Sequence, residues 1–141
     1  LKKWNKRQNK KMSNTFNLEI ISPDQILLKS EVKEVIIPAF EGYITLLKDH
    51  VSLITFLRPG FISVETNNSN EKFFVEDGTV EFFDNKLLIL SSSTYILKKM
   101  SKEQVSEMIE ETKVHLNNNE LNDKEKYILN YKISSLQEIN L

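Results

Sequence analysis

Few residues in this 141-residue chain could do chemistry. The only histidines are His50, in the turn-like segment Lys48-Asp49-His50, and His115, in a helical pattern. They lie far apart and neither has a ligand or acid–base partner at motif spacing, so a solvated or loop-packing histidine is expected at both. No Gly-rich phosphate loop occurs, and the three glycines build neither a P-loop nor a dinucleotide fingerprint. No serine sits in a nucleophile elbow. Ser91-Ser92-Ser93-Thr94 reads as turn hydrogen bonding at a strand end. Glu107, Glu110 and Glu111 read as a solvated helix face. With no cysteine, a disulfide framework, a thiolate nucleophile and a Cys-ligated zinc site are all excluded. The residues therefore predict no catalytic, cofactor or metal site.

The elements around them are of two kinds. From Phe16 to Leu97 the pattern is one of short strands: Phe16, Leu18 and Ile20 alternate with Asn17 and Glu19. Val35–Ile37, Tyr43–Leu47, Leu53–Leu57, Phe61–Glu65, Phe73–Val75, Val80–Phe83 and Leu87–Leu90 follow, rich in the Ile, Val, Phe and Tyr that suit a pleated surface. Turn signals at Pro23-Asp24, Pro38 to Gly42, Lys48-Asp49, Arg58-Pro59-Gly60, Asn67 to Asn70, Asp77-Gly78 and Asp84-Asn85 separate them. About ten short strands so spaced predict an antiparallel β-sandwich over 13–99. No segment there suits a crossover helix.

After Met100 the period changes. Ser101 to Gln104 is a capping box, and Asn122 with Glu125 is a similar start. Val105, Met108, Ile109, Thr112 and Leu116 form one stripe; Leu129, Ile133 and Leu136, with Tyr127 and Tyr131 beside them, form another. The short polar loop between predicts an antiparallel α-helical hairpin over 100–141. Two helices cannot bury both stripes alone, so the pair must pack on the sandwich or on another protein. The methionines and aromatic residues are expected in the core.

Charge is unevenly placed. Residues 1–11 carry six basic residues and no acid, leaving 13 basic against 20 acidic residues in the body, a net −7. Such a body repels polyphosphate, so no nucleic-acid partner is expected. Residues 1–12 read as a basic disordered extension ahead of a natural start at Met12. They have no apolar h-region, and the chain has no run of 18 apolar residues, so no transmembrane segment is expected.

The order Ser22-Pro23, Val32 with Val35, Glu41-Gly42, His50 with Leu53, Pro59-Gly60 and Asp77-Gly78 before Val80-Glu81-Phe82, with a helical hairpin after it, resembles the epsilon subunits of bacterial F-type ATP synthases, counterparts of the mitochondrial delta subunit. The match spans Phe16 to Leu141. The resemblance implies a non-catalytic central-stalk subunit, peripheral on the cytoplasmic face of the bacterial inner membrane, without a cofactor of its own. It implies the gamma subunit and the c ring as partners, and the beta subunit through the hairpin, with the turn Glu41, Gly42, Tyr43 as candidate c-ring contact. Tyr43 stands where the family usually has Glu, so that contact would use different chemistry. Met100 to Val105 lacks the acid and the Arg of the ATP-binding members, which implies no nucleotide sensing. Residues 101–141 hold five lysines against eight acids, a poor match to a basic inhibitory helix. The residues by themselves leave a second reading open: a free-standing sandwich adaptor that binds another protein through its hairpin.

Overall fold

The computed structural model describes residues 13–139. The expected extension over 1–12 lies outside the described residues. Ten strands run β1 (Phe16–Ile21), β2 (Ile26–Val32), β3 (Glu34–Ala39), β4 (Gly42–Leu47), β5 (Leu53–Leu57), β6 (Gly60–Glu65), β7 (Asn70–Val75), β8 (Gly78–Phe83), β9 (Lys86–Leu90) and β10 (Thr94–Ile96). A 3-10 turn at Leu97–Lys99 leads to α1 (Lys102–Leu116) and α2 (Asp123–Gln137).

The strands form two five-stranded halves, β10-β7-β6-β3-β4 and β5-β8-β9-β1-β2, joined through the single pair Ala39–Leu57. Alternate residues of both halves enter one core, with Leu18, Ile20, Val35, Ile37, Ile62, Val75 and Ile89 almost wholly buried. Phe16 meets Phe82 edge to face there, with ring centroids 5.6 Å apart. The expectation of an antiparallel sandwich holds with one correction. β1 and β9 pair in parallel, Leu18 opposite Leu87 and Ile20 opposite Ile89. Parallel neighbours need a long connection, and here the intervening strands supply it. The pattern of short strands also left out β2 and β10, both present.

Turn chemistry sets the registers. Phe83 pairs with Lys86 across Asp84 (φ 48°) and Asn85 (φ 58°), a two-residue turn with both residues at positive φ. Gly78 opens β8 at φ 153°, where an added Cβ would lie 2.6 Å from the Leu90 carbonyl oxygen. Its lack of a side chain lets β8 and β9 approach.

Both helix starts form where the caps predict them. The Ser101 hydroxyl accepts from the Gln104 N–H at 3.1 Å. Asn122 Oδ1 accepts from the Glu125 N–H at 2.8 Å, and its Nδ2 donates to Glu125 Oε1 at 2.9 Å. The hairpin covers the outer face of β6, β7 and β10. Phe74, Met100, Val105 and Leu136 form a second buried cluster there, with Phe61, Tyr95, Met108 and Ile109 packed against it. Phe74 points away from the sandwich core and is still fully buried, because the helices lie over it.

Candidate functional site

Among the described residues, no element covers the other outer face in this way. In β5, Leu57 points inward and is buried, while Ile54 and Phe56 point outward with 78% and 61% of their surface exposed. The register sets Phe56 opposite Thr79, Thr79 opposite Leu90, and Leu90 opposite Ile21, so one row crosses β5, β8, β9 and β1. Leu90 is exposed too, and Phe83 lies exposed at the far end of β8. A groove of about 1510 Å³ runs from this face to the flank of α2, lined by Ile54, Phe56, Leu90, Ile128, Leu129 and Lys124 among others. Large apolar side chains thus flank Thr79 and Glu81 on an exposed sheet face, an arrangement suited to binding protein. Leu53–Leu57 carries the sequence signal for it: four of its five residues are apolar, where a strand with one wet face alternates.

The turn Glu41, Gly42, Tyr43 lies at the end of the β3–β4 hairpin, closed by the pair Ala39–Gly42. Gly42 adopts φ 140°. Glu41 points into solvent. Tyr43, half exposed, is already engaged: its hydroxyl accepts from the Phe61 N–H at 3.2 Å. Its ring lies 5.4 Å from the Arg58 guanidinium. Arg58 is 6% exposed. Its Nε–H donates to the Ala39 carbonyl at 3.0 Å, and its backbone N–H to the Pro38 carbonyl at 2.9 Å. Its guanidinium also lies over the ring of Tyr131 of α2, 3.8 Å from the centroid. The Tyr127 hydroxyl donates to the Phe40 carbonyl of the turn at 3.2 Å. Lys132 pairs with Glu76. The turn and the start of α2 are thus fastened together. Tyr127 is exposed rather than in the core, which corrects the expectation for the aromatic residues. Arg58 read only as part of a Pro-Gly turn, and nothing local in the sequence marks it as the partner of residues more than 70 positions later.

The remaining candidates stay apart. His50 Nδ1 lies 2.7 Å from the Val51 carbonyl oxygen, and its ring meets Phe82 edge to face. His115 is exposed near the end of α1. The Ser91 hydroxyl donates to the Asp77 carbonyl at 2.6 Å, and that of Ser93 to Asp77 Oδ1 at 2.8 Å, so the serine run closes the β7–β8 and β9–β10 connections. Glu107, Glu110 and Glu111 are exposed. Burial, then the charges of Glu76 and Glu111, raise the Tyr95 phenol above its ordinary value and keep it neutral. Among the described residues no cluster of His, Cys, Asp or Glu could hold a metal ion. No helix among them is long and apolar enough to cross a membrane.

Residues 15–96 match the family model of the ATP synthase delta/epsilon chain β-sandwich domain. An ATP synthase epsilon chain of Pelagibacter ubique is 39% identical over 130 residues, 92% of this chain and 100% of the relative. One of Rhizobium johnstonii is 29% identical over 79% of this chain and 84% of its own length. Among solved structures, a chain of the Euglena gracilis mitochondrial ATP synthase superposes with a TM-score of 0.73 at 18% identity, covering 89% of this chain and 81% of that one. A chain of the central stalk and c-ring assembly of the Tetrahymena thermophila mitochondrial enzyme gives 0.61 at 13% identity, covering 86% and 93%. The sandwich, the hairpin after it and the uncovered apolar face accord with a chain built to sit within an assembly, and this chain belongs to the ATP synthase delta/epsilon family, among its epsilon chains.

Proposed function

We propose that the chain binds the gamma subunit through the uncovered face of β5, β8 and β9, meets the c ring through the turn at Glu41, and so helps carry rotation between proton flow and the catalytic head. Family membership makes it a non-catalytic epsilon subunit of the F-type ATP synthase central stalk, and decides against the free-standing adaptor. In this reading the sandwich over 13–99 is the binding module. The hairpin over 100–141 is an accessory that could reach the beta subunit, and 1–12 is a dispensable extension. The site of action is the cytoplasmic face of the bacterial inner membrane, reached through the complex.

The observation that carries the gamma assignment is the exposure of Ile54 and Phe56 on a sheet face that no element among the described residues covers. Burying a side chain of this size is worth roughly 1.5–3 kcal/mol. At the turn, Tyr43 is committed to Arg58 and to the Phe61 N–H, so a ring contact there falls to the Glu41 carboxylate and the exposed backbone. The test is co-purification of gamma and beta subunits with the tagged chain, comparing wild type with Ile54→Asp/Phe56→Asp. The double variant should keep its circular dichroism and lose gamma. Retention of gamma at wild-type yield would refute the assignment.

A further inference from the structure

β5 presents Ile54 and Phe56 outward, yet its two sides are held very unequally. On the β8 side all five residues pair, from Leu53 opposite Phe82 to Leu57 opposite Gly78. On the other side its ladder partner among the described residues is β3, at the single pair Ala39–Leu57. From Leu53 to Phe56 that side is an open edge. The joint between the two half-sheets and the seating of the exposed face therefore depend on one point, the end of β5.

Arg58 closes that point. Its backbone N–H donates to the Pro38 carbonyl at 2.9 Å, and its Nε–H reaches back to the Ala39 carbonyl at 3.0 Å. Two residues on, Gly60 lies so close to β3 that an added Cβ would fall 2.7 Å from the Pro38 Cβ. Arg58 is buried, and among the described residues no carboxylate pairs with it. A buried cation without a counter-ion is costly, and the rings of Tyr43 and Tyr131 offset only part of that cost. An apolar side chain would end a strand at least as stably. What the guanidinium supplies instead is a directed bond across the joint, which fixes one geometry.

We propose that Arg58 is the positioning residue of the partner-binding face: by bonding Ala39 it fixes the open-edged strand β5, and so sets Ile54 and Phe56 in the geometry that the gamma subunit meets. The inference rests on the reading that gamma binds this face. Arg58 is buried and acts through β5. Once its bond to Ala39 is lost, the end of β5 opens part of the time, as weakly paired edges do. The apparent affinity for gamma then falls with the fraction of chains in which the strand is closed.

The test combines titration with the gamma subunit and residue-resolved hydrogen exchange on the full chain. The variants are Arg58→Met, Arg58→Lys, Val64→Ala and Ile54→Asp/Phe56→Asp. Methionine keeps an apolar stem and removes the cation and the donor. Arg58→Met should speed exchange at amides of residues 54–58 and weaken gamma binding, each on the order of tenfold, and leave Ile20 as in wild type. Arg58→Lys keeps a cation and a donor without the planar fork, so both changes should be smaller and of the same sign. It decides the matter if the methionine variant does not fold. Val64→Ala removes core packing in the other half-sheet and should bind gamma like wild type. Wild-type affinity in both Arg58 variants would overturn the proposal. So would an equal rise of exchange at Ile20, or a loss of gamma binding in Val64→Ala as large as in Arg58→Met, since either makes the effect one of general stability. If Ile54→Asp/Phe56→Asp keeps gamma, the placing of gamma on this face fails and the proposal with it. If that variant loses gamma while the Arg58 variants do not, the positioning role alone fails.

Discussion

Replacing Leu136 by alanine should undock the hairpin and leave the sandwich folded. Leu136 is fully buried, and its neighbours Phe74, Met100 and Val105 form a cluster distinct from the sandwich core. Alanine removes three carbon groups, about 2.4 kcal/mol of transfer free energy at ~0.8 kcal/mol each. The remaining cavity adds to this, and Leu→Ala changes in cores span roughly 2–5 kcal/mol. A helix of 15 residues is marginal alone in water, so α2 depends on this docking. The assay is native-state hydrogen exchange along a urea series, with Ile89→Ala as the matched change inside the sandwich core. Leu136→Ala should lower protection through α1 and α2 by that amount and leave Ile20 and Leu87 as in wild type. Ile89→Ala should lower protection everywhere, because the hairpin has no platform once the sheet opens. Equal losses at helix and sheet amides in Leu136→Ala would refute the separation of the two clusters.

Two further outcomes follow from the packing. Gly78→Ala sets a Cβ 2.6 Å from the Leu90 carbonyl oxygen at φ 153°, so both the contact and the backbone oppose it; a loss of about 2 kcal/mol or more is expected in urea unfolding. Truncation after Lys99 should leave a folded sandwich, since its core is self-contained, but should uncover Phe74 and with it Phe61 and Tyr95. The truncated chain should therefore bind more hydrophobic dye and self-associate more than the full chain, which exposes only the other face, read by fluorescence and sedimentation.

Much of the fold was legible because both periods are local. The alternation of β1, the turn at Asp84-Asn85 and the caps at Ser101 and Asn122 are each written within a few residues. β2 was hidden because Leu27 and Leu28 break alternation, and its register with β1 shifts at Ile20/Ile21. β10 has three residues behind a serine run, and its identity as a strand depends on pairing with Phe73–Val75. The parallel pair of β1 and β9 has no local sign at all. The site divides in the same way. The outward Ile54 and Phe56 in Leu53–Leu57 could have marked the uncovered face, but the use of Tyr43, Arg58 and Tyr131 is a tertiary fact. Tyr43 read as a surface residue of the turn, whereas its hydroxyl and ring are taken up by β6 and by Arg58.

Both outer faces of the sheet carry large apolar side chains, and the hairpin can cover only one. Phe61, Phe74 and Tyr95 receive the helices; Ile54, Phe56 and Leu90 do not. An isolated domain would gain nothing from the second set, which leaves apolar surface in water. A subunit gains an interface that is already shaped, because the strands beneath it are fixed by the sandwich core, so little ordering cost is added on docking. Arg58 occupies the seam between the two faces. It follows Leu57 directly, at the end of the strand that presents Ile54 and Phe56, and precedes Gly60, where β6 begins under the hairpin. A partner that draws on β5 therefore pulls next to the residue that holds α2. The face that needs a partner and the face that the hairpin covers thus meet at Arg58, two residues before β6 begins.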